Sequence, residues 1–144
     1  MANSFGATTA LTGDANSLAS GAYVSLGFIN FDSVLPHDCL VDVAMQASAA
    51  TSTATSQTVV IFARSSVDGT NFSGSLAANG EPNMRRIGAV TLKDTVARRS
   101  AAMSIALAFG GVLPPKVEIV AKNDTGVPLA ASGQVGQFRT VTFG

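Results

Sequence analysis

The residues able to do chemistry are few and poorly grouped. His37 is the single histidine and Cys39 the single cysteine. Two positions apart at the head of an alternating segment, they would point to the same side of a strand. A zinc site of the usual kind takes three or four His, Cys or carboxylate ligands. These two are the only imidazole and thiol present, so they read as a loop histidine beside a small buried cysteine, and no metal is expected. One cysteine excludes an intrachain disulfide. A Ser-His-Asp triad would have to use His37, beside Pro36 in a connection, and no Gly-x-Ser-x-Gly elbow occurs.

The nine acids are Asp14, Asp32, Asp38, Asp42, Asp68, Glu81, Asp94, Glu118 and Asp124. Most fall in turn-like segments, where Asp bonds its own backbone. Asp42 and Glu118 fall inside strand patterns and read as a solvated sheet face or an interface ion pair, not as the paired carboxylates of a glycosidase. Asp68 and Asp124 lack the surrounding carboxylates of a calcium loop. Gly110-Gly111 lacks the rest of a phosphate-binding loop. No catalytic residue and no cofactor is expected, and the chain reads as non-enzymatic.

Two basic doublets remain, Arg85-Arg86 and Arg98-Arg99, each flanking a strand pattern. Arginine is enriched at protein interfaces because its planar fork binds carboxylates in pairs. These four are the candidate interface residues, with solvated loop charge as the competing reading. No aromatic residues accompany them and nine basic side chains balance nine acidic ones, so nucleic acid is not an expected partner.

The elements that would carry these residues are strands. Tyr23–Ile29 alternates, with Val24, Leu26 and Phe28 on one face. Cys39–Met45 alternates again, with Cys39, Val41, Val43 and Met45 together. Residues 46–56 are a polar Ala/Ser/Thr loop, expected to be exposed and mobile. Thr58–Arg64 holds the run Val59-Val60-Ile61-Phe62-Ala63, which suits a central strand covered on both faces. Asp68-Gly69 marks a turn, and residues 73–84 read as loop.

Arg86–Lys93 and Ala101–Phe109 read as two more strands. Alternating large and small residues favour a strand in the second, against a helix capped by Asp94 through an Ala-rich stretch. Lys116–Lys122 is a strand with Val117, Ile119 and Ala121 opposite Glu118, Val120 and Lys122. Asn123–Gly126 is a turn, and Val135–Phe143 is the final strand. About seven to eight strands spaced by turn clusters predict an all-β fold, a β-sandwich or jelly-roll. Residues 1–20 lack periodicity and read as an extended N-terminal arm, either loose or ordered against a neighbouring subunit. Residues 21–144 form one domain.

Composition points toward assembly. Hydrophobic residues make up 47% and charged ones 12%, against a usual charged share of about 25%. A near-zero net charge promotes association, so a homo-oligomer, dimer or trimer, is expected. Residues 1–20 show no basic start followed by an apolar core, and no apolar run is long enough for a membrane span. Synthesis in a cytoplasm without membrane partners is the expectation.

Several phrases resemble those of small virion proteins of tailed bacteriophages. They are Leu18–Tyr23, Arg64-Ser65-Ser66-Val67-Asp68-Gly69-Thr70-Asn71-Phe72, Pro114–Val120, and Ala121-Lys122-Asn123-Asp124-Thr125-Gly126. The resemblance spans roughly residues 18–143 and rests on turn chemistry. It implies a capsid decoration or cement protein of jelly-roll type, with tail or neck proteins as the alternative. The implied partners are further copies of itself and a major capsid protein or tail proteins, and the implied location is a virion assembled in the host cytoplasm. It implies no catalytic residues. A receptor- or carbohydrate-binding sandwich is the competing class, disfavoured by the lack of Trp and the single Tyr.

Overall fold

The computed structural model describes residues 2–32 and 36–144; part of the 30–38 connection therefore lies outside the described residues. Six strands of seven to nine residues carry the fold: β3 (Tyr23–Asn30), β4 (Asp38–Met45), β5 (Thr58–Ser66), β6 (Arg85–Thr91), β9 (Lys116–Asp124) and β10 (Val135–Thr142). Four two-residue pieces trim the edges: β1 (Ser4–Phe5), β2 (Thr9–Ala10), β7 (Arg98–Arg99) and β8 (Met103–Ser104). One helical turn, α1 (Ile105–Ala108), completes the set, with a 3₁₀ turn at Glu81–Asn83.

Among the described residues all strand pairing is antiparallel and falls into two sheets. One runs β3-β9-β5-β6. The other runs β1-β10-β4-β7, with β2 also on β10 and β8 also on β4. The sheets share one core, giving the all-β, sandwich-like arrangement that strand spacing predicted. Cys39, Val41, Val43 and Met45 enter it from β4, Val59, Ile61 and Ala63 from β5, and Val117, Ile119 and Ala121 from β9. Period-2 alternation is the cause in each case.

The run in β5 is covered on both faces, as its unbroken apolarity predicted. Val60 and Phe62 point away from the main core and meet Val120 and Met84 in a smaller cluster, with Tyr23 against it. The β5–β6 connection, residues 67–84, supplies that cover by folding over the outer face of the β3-β9-β5-β6 sheet. We call it the strap.

Two expectations from sequence are corrected. Phe28 does not share a face with Leu26. A bulge between Ser25 and Gly27 shifts the register of β3 against β9. One extra residue reverses every later side chain, so Ile29 is buried and Phe28 stands half in water. Gly27 permits this with φ of +130°, where its missing Cβ also leaves room for the Thr12 backbone at 3.1 Å.

Residues 101–109 form neither one strand nor a long helix. Met103–Ser104 pairs briefly with β4 and the chain then turns into α1. Ser104 Oγ accepts from Leu107 N–H (3.0 Å), and Asp38 accepts from both Ser104 Oγ (2.6 Å) and Ala106 N–H (2.9 Å). These caps satisfy amides that a strand would have left to a neighbour. Asp94 instead accepts from Val96 N–H (2.9 Å) in a turn.

The N-terminal lead-in is extended, but it lies on its own sheet. β1 and β2 both pair with β10, and Leu11 and Ala15 reach the core.

Antiparallel pairing gives the sandwich two distinct ends. At one, Asn30, Lys116 and Ser66 align across three strands, and Asp38 lies opposite Val141. Phe31 N–H to Pro115 C=O (2.8 Å) and His37 N–H to Val141 C=O (2.9 Å) tie that end together. At the other, Tyr23, Lys122 and Val60 align, Thr58 meets Asp124, and Ala44 meets Val135. A bridge between Ala47 and Leu129 and the bond from Ser48 N–H to Pro128 C=O (3.0 Å) tie this one.

Candidate functional site

The first end carries apolar side chains in water. Val67 follows β5, Leu107 lies in α1, and Val112 lies in the loop after it; they are 89%, 81% and 72% exposed. Half-exposed Phe143 and Phe28 belong to the same end, and Phe5 sits nearby opposite Val141. Among the described residues, a groove of about 390 Å³ opens there between Phe31, Pro36 and His37 on one side and Val112, Leu113 and Pro115 on the other. Gly110 and Gly111, with φ of +75° and +93°, shape the turn that presents Val112.

The opposite end is more polar, with half-exposed Val96 and Val135 as its apolar side chains. Residues 46–57 crown it, and their hydroxyls hold them to backbone. Thr51 Oγ donates to Leu92 C=O (2.6 Å), Thr55 Oγ to Thr125 C=O (2.9 Å) and Ser56 Oγ to Asp124 C=O (3.0 Å). The loop expected to be mobile is thus pinned, with Ala47 fully buried. Below it, Asn123 Nδ2 donates to Leu18 C=O and Val127 C=O (both 2.8 Å), while Asn123 Oδ1 accepts from Thr125 N–H (3.0 Å). This phrase from the resemblance is therefore a buried structural knot.

A cluster of ionisable groups holds the strap. Glu81 accepts from the Tyr23 hydroxyl and from Lys122 Nζ (3.0 Å), and Lys122 also pairs with Asp124 (3.4 Å). The Tyr23 bond, then Lys122 and Arg86, hold Glu81 below the ordinary glutamate value despite partial burial. Burial, then the Glu81 bond, pushes the Tyr23 hydroxyl up. Partial burial works against the Lys122 charge, but Glu81, Tyr23 and Asp124 outweigh it and keep the ammonium protonated. The cluster edges a depression of about 460 Å³ that also meets Phe62, Pro82 and Arg86. Its charges are mutually satisfied, which suits a fastener.

The strap has two further attachments. Arg64 is bonded to Glu118 and donates from Nη1 to Gly74 C=O (3.2 Å). Glu118 was expected on a solvated face or at an interface; it is 2% exposed, because the strap covers it. Asp68 ties the turn by accepting from Asn71 N–H and Thr70 N–H (both 2.8 Å), from Asn71 Nδ2 (2.7 Å) and from Ser66 Oγ (2.9 Å). Those bonds hold its carboxyl well below the usual carboxylate range.

The four candidate interface arginines all stand exposed on edge strands, since β6 and β7 each close one side of their sheet. They do not form one patch of free charge. Arg98 pairs with Asp94 (3.2 Å) and Arg99 with Asp42, which also accepts from Gln137 Nε2 (3.1 Å). Arg86 borders the Glu81 cluster, and Arg85 lies across from Ala63.

His37 and Cys39 are not brought together as a site. His37 stacks on Phe143 at 5.0 Å, and its Nδ1 accepts from Phe143 N–H (3.0 Å). Cys39 is sealed in the core, where burial, helped by Asp38, pushes the thiol up to about 12. Among the described residues, no three His, Cys, Asp or Glu side chains gather as metal ligands would.

Sequence reasoning missed two features. One is the aromatic pair Phe28–Phe72 (5.3 Å), with Lys116 over Phe28 at 5.2 Å and Arg64 over Phe72 at 5.3 Å. Gly27 was its only signal. The other is the apolar end, whose members are far apart in the chain. No protein-family model matches the sequence, and no curated protein matches it.

Proposed function

We propose that this chain is a non-enzymatic structural subunit of a tailed-phage virion, a capsid decoration protein of jelly-roll type that seats its apolar end on the shell. The observation that carries the reading is the unequal polarity of the sandwich ends. Val67, Leu107, Val112 and Phe143 lie exposed at one end, while hydroxyl-rich loops close the other, where half-exposed Val96 and Val135 are the apolar exceptions. Exposed apolar side chains gathered in one region mark a contact surface, and a surface low in charge can bury large area without stranding ions. The polar end then faces solvent. A tail or neck position uses the same polarity against a different lattice.

Antibody labelling of purified tailed-phage particles, read by electron microscopy, tests this. Label over the shell is expected. Label in a tail ring moves the chain to the alternative position, and particles without label overturn the virion reading. Replacing Leu107 and Val112 together by Asp should reduce shell occupancy at least tenfold while the circular dichroism spectrum stays unchanged. Leu107 and Val112 are solvent-facing, so the fold survives the change.

One observation favours a second reading. Phe28, half exposed, packs on the partly buried Phe72 with cations beside the pair, and aromatic faces stack on sugars. Glycan-array binding that disappears in Phe28→Ser would favour a carbohydrate-binding module over the decoration reading.

A further inference from the structure

The N-terminal segment attaches to its sheet in two unequal stages. From Leu11 onward it is rooted. Leu11 N–H donates to Gly136 C=O (2.9 Å), Gly13 N–H to Leu26 C=O (2.9 Å) and Ala15 N–H to Gln134 C=O (3.3 Å). Leu11 and Ala15 are buried, and a Cβ on Gly13 would stand 2.5 Å from Ser25 C=O. Before Leu11 the chain is only laid on. β1 and β2 are two residues each, and all four side chains are exposed.

What holds the outer part is a clamp on β10. Arg139 donates from Nε (3.2 Å) and Nη2 (3.0 Å) to Gly6 C=O, and its guanidinium lies 5.1 Å from the centre of the Phe5 ring. Gly6 N–H donates to Thr140 C=O (2.9 Å), and a Cβ at this position would stand 2.4 Å from Thr140 Oγ1. The clamp therefore suits an aromatic residue followed by glycine in an extended strand, since any larger residue there would force the Thr140 hydroxyl to rotate away. Phe5-Gly6 is such a pair.

We propose that the Arg139 clamp and the β10 edge are a docking site for residues 4–10 of a second copy of this chain, exchanged reciprocally about the hinge between Ala10 and Leu11. It rests on the self-assembling reading given above. An edge strand makes the same bonds whether its partner belongs to its own chain or a neighbour, so exchange builds a dimer at low cost. The segment has few buried contacts to break, which places its opening at the low-energy end of local unfolding. Residues 2–10 fully extended reach about 30 Å, enough to cross to an adjacent sandwich. Reciprocal exchange closes the pair and leaves no β10 edge open to further addition.

Cysteine pairing tests the exchange. Ser4 and Thr142 lie opposite one another in the ladder, and both are exposed. The native Cys39 is buried and stays silent. Ser4→Cys and Thr142→Cys are made as separate proteins, mixed, and mildly oxidised. A covalent heterodimer whose peptides map to a 4–142 link is expected. The double variant closing entirely within single chains, with no 4–142 link in the mixture, overturns the exchange. If sedimentation then still shows an oligomer, the assembly reading stands without it; if the chain is a monomer at every concentration, both fall.

Discussion

The two outer faces of the sandwich each hold an arginine–carboxylate pair, in opposite surroundings. Arg64–Glu118 lies under the strap, with side chains 15% and 2% exposed; Arg99–Asp42 lies on the bare face of the other sheet, at 53% and 25%. Chemistry and partners are alike, so the difference is solvent. Under the strap the ions lose hydration and depend on each other. On the bare face water screens them, and the pair adds little to stability. The strapped face is therefore built for integrity, while the bare face leaves its charges free to re-pair with a partner.

The largest expected effect breaks the covered pair. Arg64→Leu leaves Glu118 charged and buried, which should cost about 3–5 kcal/mol, read as a lower urea midpoint. Arg64→Leu with Glu118→Leu should recover most of that loss. A double variant no more stable than the single one would show that the pair is not what makes the single change costly.

Next comes the fastener of the strap. Glu81→Gln keeps the shape but removes the charge, and should cost about 1 kcal/mol. Its main effect should be faster hydrogen exchange across residues 73–84, with the β4–β10 ladder unchanged. Acid should do the same without mutation. The folded carboxyl of Glu81 lies below its unfolded value, so its contribution is present above the unfolded pKa and is lost as pH falls toward the folded one. Asp68, also depressed, has the same sign. Strap protection, measured against the intrinsic exchange rate at each pH, should fall between about pH 5 and pH 3, ahead of global unfolding. Uniform loosening of both faces over that range would break the distinction.

On the bare face, Arg99→Ala should cost about 0–1 kcal/mol in stability and leave the urea midpoint nearly in place. A cost matching that of Arg64→Leu would erase the contrast. The smallest effect concerns the core between the faces. With its thiol held at about 12, Cys39 should resist thiol reagents at pH 8 until the protein unfolds. Labelling of native protein at the rate of a free thiol would place it outside the core.

Local pattern told most where burial follows alternation. Cys39 to Met45 and Val59 to Ala63 were legible because each residue's face depends only on its neighbours. Phe28 was misread because one bulge at Gly27 reverses the faces beyond it. Residues 101–109 were misread because the local Ser104 cap went unread and because Asp38, distant in the chain, holds Ser104 and the Ala106 amide. Glu118 was misread for a similar reason, since its cover comes from the strap. The arginine doublets were visible as residue types; their intrachain partners Asp94 and Asp42 were not. The apolar end was invisible as a unit, because Val67, Leu107, Val112 and Phe143 come to one end only once the strands are paired.

The position of β10 has a consequence for how the protein is made. It follows every other strand of the two sheets in chain order, yet it pairs with β4 along its length and with both pieces of the N-terminal segment. Until it leaves the ribosome, β4 has no long partner, and Cys39, Val41, Val43 and Met45 have no completed sheet to hold them. The β3-β9-β5-β6 sheet is complete earlier in the sequence. Folding should thus be slow, as loop closure between distant segments dictates. During that interval the nascent chain is most exposed to aggregation and most in need of chaperones, which would also be the moment for two chains to trade their leading strands.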